Sequence, residues 1–216
     1  MTHTDHQTAM QHKIKILIAD DHAVVRMGLE SLFSAKPDLE VVGQAKNGKI
    51  AIREAVRLAP DVVIMDLMMP GMDGIEATRA IHGAAPDVKI LVLTSHATSD
   101  GIARAIDAGA KGAIMKSAEN TELVAAIRKV AAGEQYISQE IKNLMDTDPP
   151  VAVLTGRQTE VLQSLSLGLT NKDIAKQLGI SIRSVEEHVN HILERIGAAN
   201  RAEAVGIALR KHLLKI

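Results

Sequence analysis

Asp61-Val62-Val63-Ile64-Met65-Asp66-Leu67-Met68-Met69-Pro70-Gly71-Met72-Asp73-Gly74 decides the reading of this chain. Its unbroken apolar run, rich in β-branched residues, fits a strand buried on both faces, because a strand with one wet face alternates. The run stops at Asp66, and the Pro/Gly-rich segment behind it breaks regular structure. A carboxylate at the tip of a buried strand stands where a parallel sheet places its chemistry. The earlier run Ile16-Leu17-Ile18-Ala19 ends in the same way, on Asp20-Asp21. Three converging carboxylates repel one another, and a hard divalent cation such as Mg2+ relieves that repulsion.

Working outward, apolar runs recur at Lys15–Ala19, Glu40–Gln44, Val62–Met65, Lys89–Leu93 and Ala113–Met115. Their ends lie 25, 21, 28 and 22 residues apart, room each time for a strand, a helix and two turns. Between them, Ile50, Ala51, Glu54, Ala55 and Leu58 follow the helical period, and Leu123, Ala126, Ile127 and Val130 do so after the last run. Gly109 reads as a helix-terminating glycine. The pattern predicts a doubly wound α/β sheet of five parallel strands, and that number favours the flavodoxin-like order 2-1-3-4-5.

The rhythm breaks after Gly133. A short helix is expected over Ser138–Met145, and Asp146-Thr147-Asp148-Pro149-Pro150 reads as linker. Beyond it the pattern is all helical: Thr155–Ser166, Thr170–Leu178, Ser181–Ile196 and Asn200–Leu213. Thr155, Ser181 and Asn200 are the expected N-caps, and Gly168, Gly179 and Gly197 the expected stops. Only Gly179-Ile180 separates the second and third of these helices, which is a helix-turn-helix connection. The expected segments are therefore a flexible tail at 1–13, an α/β domain at 14–133, a linker at 134–152 and a four-helix domain at 153–216.

Composition bounds the function. The 216 residues suffice for two small domains, and aromatic residues are only 1%, so the cores must be aliphatic. There is no cysteine, hence no disulfide and no thiolate metal site. No apolar stretch is long enough to span a bilayer, and the N-terminus lacks the apolar core of a signal peptide, so a cytoplasmic protein is expected. Net charge is −1, but residues 1–150 carry −4 and residues 151–216 carry +3. An acidic front and a basic tail point to two different partners.

In the doubly wound reading Asp20, Asp21, Asp66, Thr94 and Lys116 all stand at the carboxyl edge of the sheet. Each has a role in phosphoryl transfer to a carboxylate: Asp66 as nucleophile, the acidic pair as Mg2+ ligands, Lys116 and Thr94 as contacts to the product acyl phosphate. Together ILIADDH (16–22), DVVIMDLMMPGMDG (61–74), LVLTSH (91–96) and DAGAKGAIMK (107–116) resemble the receiver domain of two-component response regulators. The resemblance implies that a sensor histidine kinase phosphorylates Asp66. It implies that Asp21 binds Mg2+ directly, Asp20 through water, and that the Met68 carbonyl is a further ligand. Many receivers carry an aromatic residue three positions before the lysine; this chain has Ala113 there.

Residues 154–205 resemble the LuxR-type helix-turn-helix domain of the NarL/FixJ class, through Leu154-Thr155, Arg157, Glu160-Val161-Leu162, GLTNKDIAKQLGIS (168–181), Ser184-Val185, His188, Ile192 and Asn200-Arg201-Ala202. The resemblance makes the helix from Ser181 the recognition helix for double-stranded promoter DNA. Val185, Val189, Ile192 and Ile196 should then face the core, with Arg183, Ser184, Glu187 and Asn190 outward. Thr170, Asn171 and Lys172 are expected at the phosphates. It further implies a homodimer on two half-sites, with Ala204, Val205, Ala208 and Leu209 as a pairing stripe unless that stripe packs on its own domain. Three departures stand out: Gln158 where Glu is usual, and Glu186 and Asn190 where Lys is common. Over 181–196 the charge is −1, which predicts weakened DNA binding. His188 and His191, three apart on one helix, lack a third metal ligand and read as packing or hydrogen-bonding residues.

The sequence thus reads as a transcriptional response regulator rather than an enzyme. A phospho-switched adaptor that grips protein instead of DNA is the alternative. A hydrolase working through an aspartyl phosphate is disfavoured, because no cap segment or acid/base partner is evident.

Overall fold

The computed structural model describes residues 13–150, 154–211, 213 and 214. Apart from Lys13, the expected tail lies outside the described residues, as do parts of the expected linker and of the C-terminal end. The chain forms two compact units, one built from residues up to His96 and Ala105–Glu140, the other from Ala97–Arg104 and Ile141–Ile216.

Alternating elements build the first half: β1 (Ile14–Ala19), α1 (Ala23–Ser34), β2 (Leu39–Ala45), α2 (Gly48–Leu58), β3 (Val62–Met65), α3 (Gly74–Ala84), β4 (Lys89–Thr94), α4 (Ser99–Asp107), β5 (Gly112–Met115) and α5 (Asn120–Ala131). The strands pair in parallel in the order β2-β1-β3-β4-β5, followed by β6 (Tyr136–Ile137). Strand order therefore reverses between β1 and β3, and the crevice at that switch point is where such sheets bind ligands. Register aligns the tips: Ala19 lies opposite Met65, and Thr94 opposite Met115. Asp20 and Asp66 consequently emerge side by side, with the Asp66 amide donating to the Ala19 carbonyl at 2.8 Å.

The central strands are buried on both faces, as the unbroken apolar runs require. Ile16, Ile18, Val62, Ile64, Leu91, Leu93 and Ile114 share one core with Phe33 of α1 and Leu123, Val124, Ile127 and Val130 of α5. Fully burying one such aliphatic side chain contributes roughly 1.5–3 kcal/mol, so this core needs no aromatic beyond Phe33. Leu17, Val63, Ile90 and Val92 are equally buried in the intervening positions. On α2 the helical stripe is as expected at Ala51, Glu54 and Ala55, and Asn47 caps the helix through its side chain.

The expected five-strand sheet is corrected to six. β6 is only two residues long and has no periodicity to read. Its pairing is non-local: the Tyr136 amide donates to the Lys111 carbonyl and the Ser138 amide to the Ala113 carbonyl, each at 3.0 Å. Gly112 permits the approach, since a Cβ there would lie 2.5 Å from the Tyr136 carbonyl oxygen. The strand covers the edge of β5 that would otherwise stay unpaired. The short helix expected next is α6 (Gln139–Thr147).

Four further helices follow: α7 (Gly156–Ser166), α8 (Asn171–Leu178), α9 (Ile182–Ile196) and α10 (Arg201–Arg210). Thr155, Thr170, Ser181 and Asn200 each cap the helix behind them through the side chain. Gly179 and Gly197 end α8 and α9 at φ 65° and 73°, the left-handed region that glycine enters without a steric penalty. Gly168, at φ 76°, stands one residue beyond the Leu167 that closes α7. Val161, Leu162, Ile174, Val185, Val189, Ile192 and Ile196 pack one core. No helix among the described residues is long and apolar enough to cross a membrane.

Candidate functional site

Asp66 is fixed by its neighbours before any ligand arrives. Gly74, the first residue of α3, donates its amide to the Leu67 carbonyl at 2.9 Å and closes the loop behind Asp66. A Cβ on Gly74 would lie 2.0 Å from the Asp66 carbonyl oxygen, so only glycine lets α3 start this close to the strand tip. Asp73 caps α3, its side chain accepting from the Glu76 amide at 2.8 Å. Asp66 itself is 4% exposed.

Lys116, one residue past β5, reaches across β4 to the acidic cluster. Its ammonium lies 2.8 Å from Asp66 Oδ2 and 2.6 Å from Asp20 Oδ2. Burial raises the Asp66 pKa above the usual carboxylate range, against the pull of Lys116. Lys116 is also raised: desolvation acts to lower it, but the hydrogen bonds to Asp20 and Asp66 outweigh that. One lysine thus holds two carboxylates, and Asp21 Oδ1 faces the exposed His22 imidazole instead, 2.9 Å from Nδ1. Apart from that ring, Asp21 Oδ1 is enclosed and has no hydrogen-bond partner among the described residues. Asp20, Asp21, His22 and Asp66 can each turn one ligand atom into a space where these atoms lie within 4.8 Å of one another. An enclosed carboxylate oxygen with an exposed imidazole as its near partner, in a cluster already short of positive charge, fits a divalent cation.

The expected site residues are placed as follows. Asp20, Asp21, Asp66 and Lys116 come together. Thr94 is buried at the tip of β4, but its hydroxyl is engaged locally, 3.3 Å from the His96 amide. Met68 is 59% exposed in the loop, its amide 3.4 Å from Asp66 Oδ1. The sequence reading missed Arg26, which donates to the Asp20 carbonyl at 2.8 Å and to Gln44 Oε1 at 3.1 Å, bracing the tip of β1 from α1. It also left His22 without a role. Arg26 carries no local signal, because its contact to Gln44 is made only on folding, whereas His22 meets its own sequence neighbours Asp20 and Asp21.

In the helical half, α9 divides as expected: Val185, Val189, Ile192 and Ile196 are buried, while Arg183, Glu187 and Asn190 are exposed. Ser184 is half-buried, its hydroxyl 2.9 Å from that of Ser181 at the cap. Arg183 is bridged to Glu187 one turn on, at 3.2 Å. At the start of α8, Lys172 is exposed, Thr170 is held by Asp173 in a capping box, and Asn171 Oδ1 accepts from Arg201 at 2.7 Å. That last bond ties α8 to α10. The expected pairing stripe on α10 is corrected: Ala204 and Ala208 are fully buried in the domain core and Val205 packs against it, leaving only Leu209 well exposed.

Two family models match the chain. The "Response regulator receiver domain" covers residues 16–128, and "Bacterial regulatory proteins, luxR family" covers residues 152–208. The transcriptional regulatory protein LiaR of Bacillus subtilis is 39% identical over 209 residues, 93% of this chain and 99% of LiaR. This chain is a response regulator of the NarL/FixJ class. The response regulator protein VraR of Staphylococcus aureus is 37% identical over 94% of the regulator and 99% of VraR. Among solved structures, the response regulator ChrA of a heme-sensing two-component system shares 35% identity and a TM-score of 0.55, over 94% of the regulator and 99% of ChrA. The RcsB–DNA complex superposes at a TM-score of 0.66 with 24% identity, over 92% and 98% of the two chains, a likeness of fold.

Of the regulator's four departures from its class, Gln158 has a local explanation. Gln158 is buried and completes the capping box of α7, its side chain accepting from the Thr155 amide at 2.9 Å, so the amide does the capping work of the usual Glu. Ala113 is fully buried beside β6, where the Ser138 amide bonds its carbonyl. Glu186 and Asn190 are exposed, and nothing in the structure explains either.

Proposed function

We propose that Asp66 accepts a phosphoryl group from a sensor histidine kinase and that this controls the binding of promoter DNA by α9. The observation that carries the reading is the cluster itself: a buried Asp66 beside Asp20, both held by Lys116, with an enclosed Asp21 oxygen that faces the exposed His22 imidazole. Asp20, Asp21 and Asp66, with the Met68 carbonyl, would hold Mg2+, which when bound neutralises phosphoryl oxygens. Asp66 Oδ1, only weakly engaged at 3.4 Å by the Met68 amide, is the oxygen placed to form the new P–O bond as the P–N bond of the donor phosphohistidine breaks. Lys116 then pairs with the acyl phosphate, and the Thr94 hydroxyl exchanges His96 for a phosphoryl oxygen. The domains are those of the sequence reading: receiver at 14–133, linker at 134–152, DNA-binding at 153–216.

On the output side Arg183, Glu187 and Asn190 of α9 would meet base edges and phosphates, with Ser184 at the cap. Lys172, Thr170 and Asn171 would lie along the backbone. The active form is a homodimer on two half-sites, and the protein works in the cytoplasm. A second reading, the adaptor that binds protein through α9, is favoured by one observation: Arg183, one of only two basic residues on that helix, is already bridged to Glu187.

The test uses the full chain. Incubation with a small phosphodonor and Mg2+ should add one phosphoryl group by intact mass, and Asp66→Asn should add none. Selection from a random duplex pool with the phosphorylated protein should enrich a two-fold-symmetric site. Phosphorylation without any enrichment would establish the adaptor instead.

A further inference from the structure

His22 occupies the N-cap position of α1, yet its side chain makes no capping hydrogen bond. The imidazole turns back instead. Nδ1 lies 2.9 Å from Asp21 Oδ1 and 3.4 Å from Asp20 Oδ1. Apart from that ring nitrogen, the same Asp21 oxygen is enclosed and has no hydrogen-bond partner among the described residues. The ring nitrogen and the carboxylate oxygen therefore face each other at hydrogen-bond distance, an ion pair when the imidazole is protonated and two lone-pair donors when it is neutral. Two lone-pair donors in that relation leave a place for a cation between them. The backbone holds the arrangement, since the His22 amide donates to Asp20 Oδ1 at 2.8 Å and Arg26 pins the Asp20 carbonyl.

We infer that His22 is a nitrogen ligand in the cation site and that it tunes the site toward first-row divalent transition metals over Mg2+. Mg2+ binds oxygen ligands almost exclusively, whereas imidazole suits the later first-row ions, which also bind N/O sites more tightly in general. Asp20, Asp21 and Asp66 alone form an all-oxygen set. Adding the His22 nitrogen, whose position satisfies the common 4.8 Å limit with all three, turns it into a mixed N/O set. Transition-metal occupancy of the phosphoacceptor centre then becomes a property of this chain's own residues. The inference rests on the reading of Asp20, Asp21 and Asp66 as a metal centre.

Co2+ is the probe, added to full-length wild type, His22→Ala and Asp21→Asn, with paramagnetically shifted proton resonances as the readout and Mg2+ as competitor. The expected result is a far-shifted imidazole resonance in wild type that is missing in His22→Ala. The preference for Co2+ over Mg2+ should fall at least about tenfold in that variant, the loss that even a supporting residue of a metal site typically costs. Co2+ shifts that vanish in Asp21→Asn but include no His22 resonance would overturn the role of His22 and leave the carboxylate centre intact. Absence of any Asp21-dependent shift or Mg2+ competition would overturn the metal centre, and the inference with it.

Discussion

At the residue scale, Asp66 is held at a cost to stability. Its folded pKa lies above the unfolded value because burial disfavours the charged form. Its contribution is therefore most favourable below the unfolded pKa and is lost as pH rises through the folded one. At neutral pH the ionised Asp66 destabilises the metal-free fold, so Asp66→Asn should raise apo stability by about 0.5–2 kcal/mol while abolishing phosphorylation. Urea unfolding of both proteins at neutral pH checks this, and a less stable Asn variant would contradict it. Tyr136 offers a second titration. Burial, then the hydrogen bond to Glu122 at 2.7 Å, pushes its hydroxyl up to about 12. Its stabilisation is complete below the unfolded pKa of about 10 and is lost as pH rises through the folded value. The chain has one Tyr and no Trp, so tyrosinate absorbance reports this group alone. Glu122→Gln should bring the midpoint part of the way back toward 10, and an unchanged midpoint would contradict the assigned cause.

At the element scale, α3 shows how a glycine positions chemistry. Gly74→Ala would drive a Cβ into the Asp66 carbonyl, whereas Gly83, on the same helix, has nothing within 4 Å of its ideal Cβ. Gly74→Ala should destabilise by about 1–3 kcal/mol, the usual cost of overpacking, and should slow phosphorylation of Asp66. Gly83→Ala should be neutral or stabilising by up to about 1 kcal/mol. Thermal unfolding of the pair, with phosphorylation rates, separates backbone crowding from helix propensity; equal effects would show that crowding at Asp66 is unimportant. The caps at Thr155, Ser181 and Asn200 were legible because a cap is a local interaction within one turn. β6 was not, because two residues carry no period and their hydrogen bonds run to Lys111 and Ala113, more than twenty positions away in sequence.

At the scale of the whole molecule, charge sets how the two halves meet their partners. The basic surplus lies in residues 151–216, but the α9 segment itself is −1. Glu186→Lys in the phosphorylated full chain should strengthen non-specific duplex binding and steepen the log–log salt slope by about one, the signature of one more phosphate contact. Fluorescence-anisotropy titrations at several salt concentrations measure the slope. An unchanged slope would mean that Glu186 does not face the DNA backbone. The amino-acid sequence by itself determined the strand–helix alternation, the strand tips that bear Asp20, Asp66, Thr94 and Lys116, and the helix-turn-helix, because periodicity, caps and turns are encoded within a few residues. Tertiary structure alone decided that Lys116 grips Asp20 as well as Asp66, that Arg26 braces the Asp20 backbone, and that the α10 stripe packs inward. Each of those depends on groups from separate elements brought together by register and packing, which no local pattern specifies.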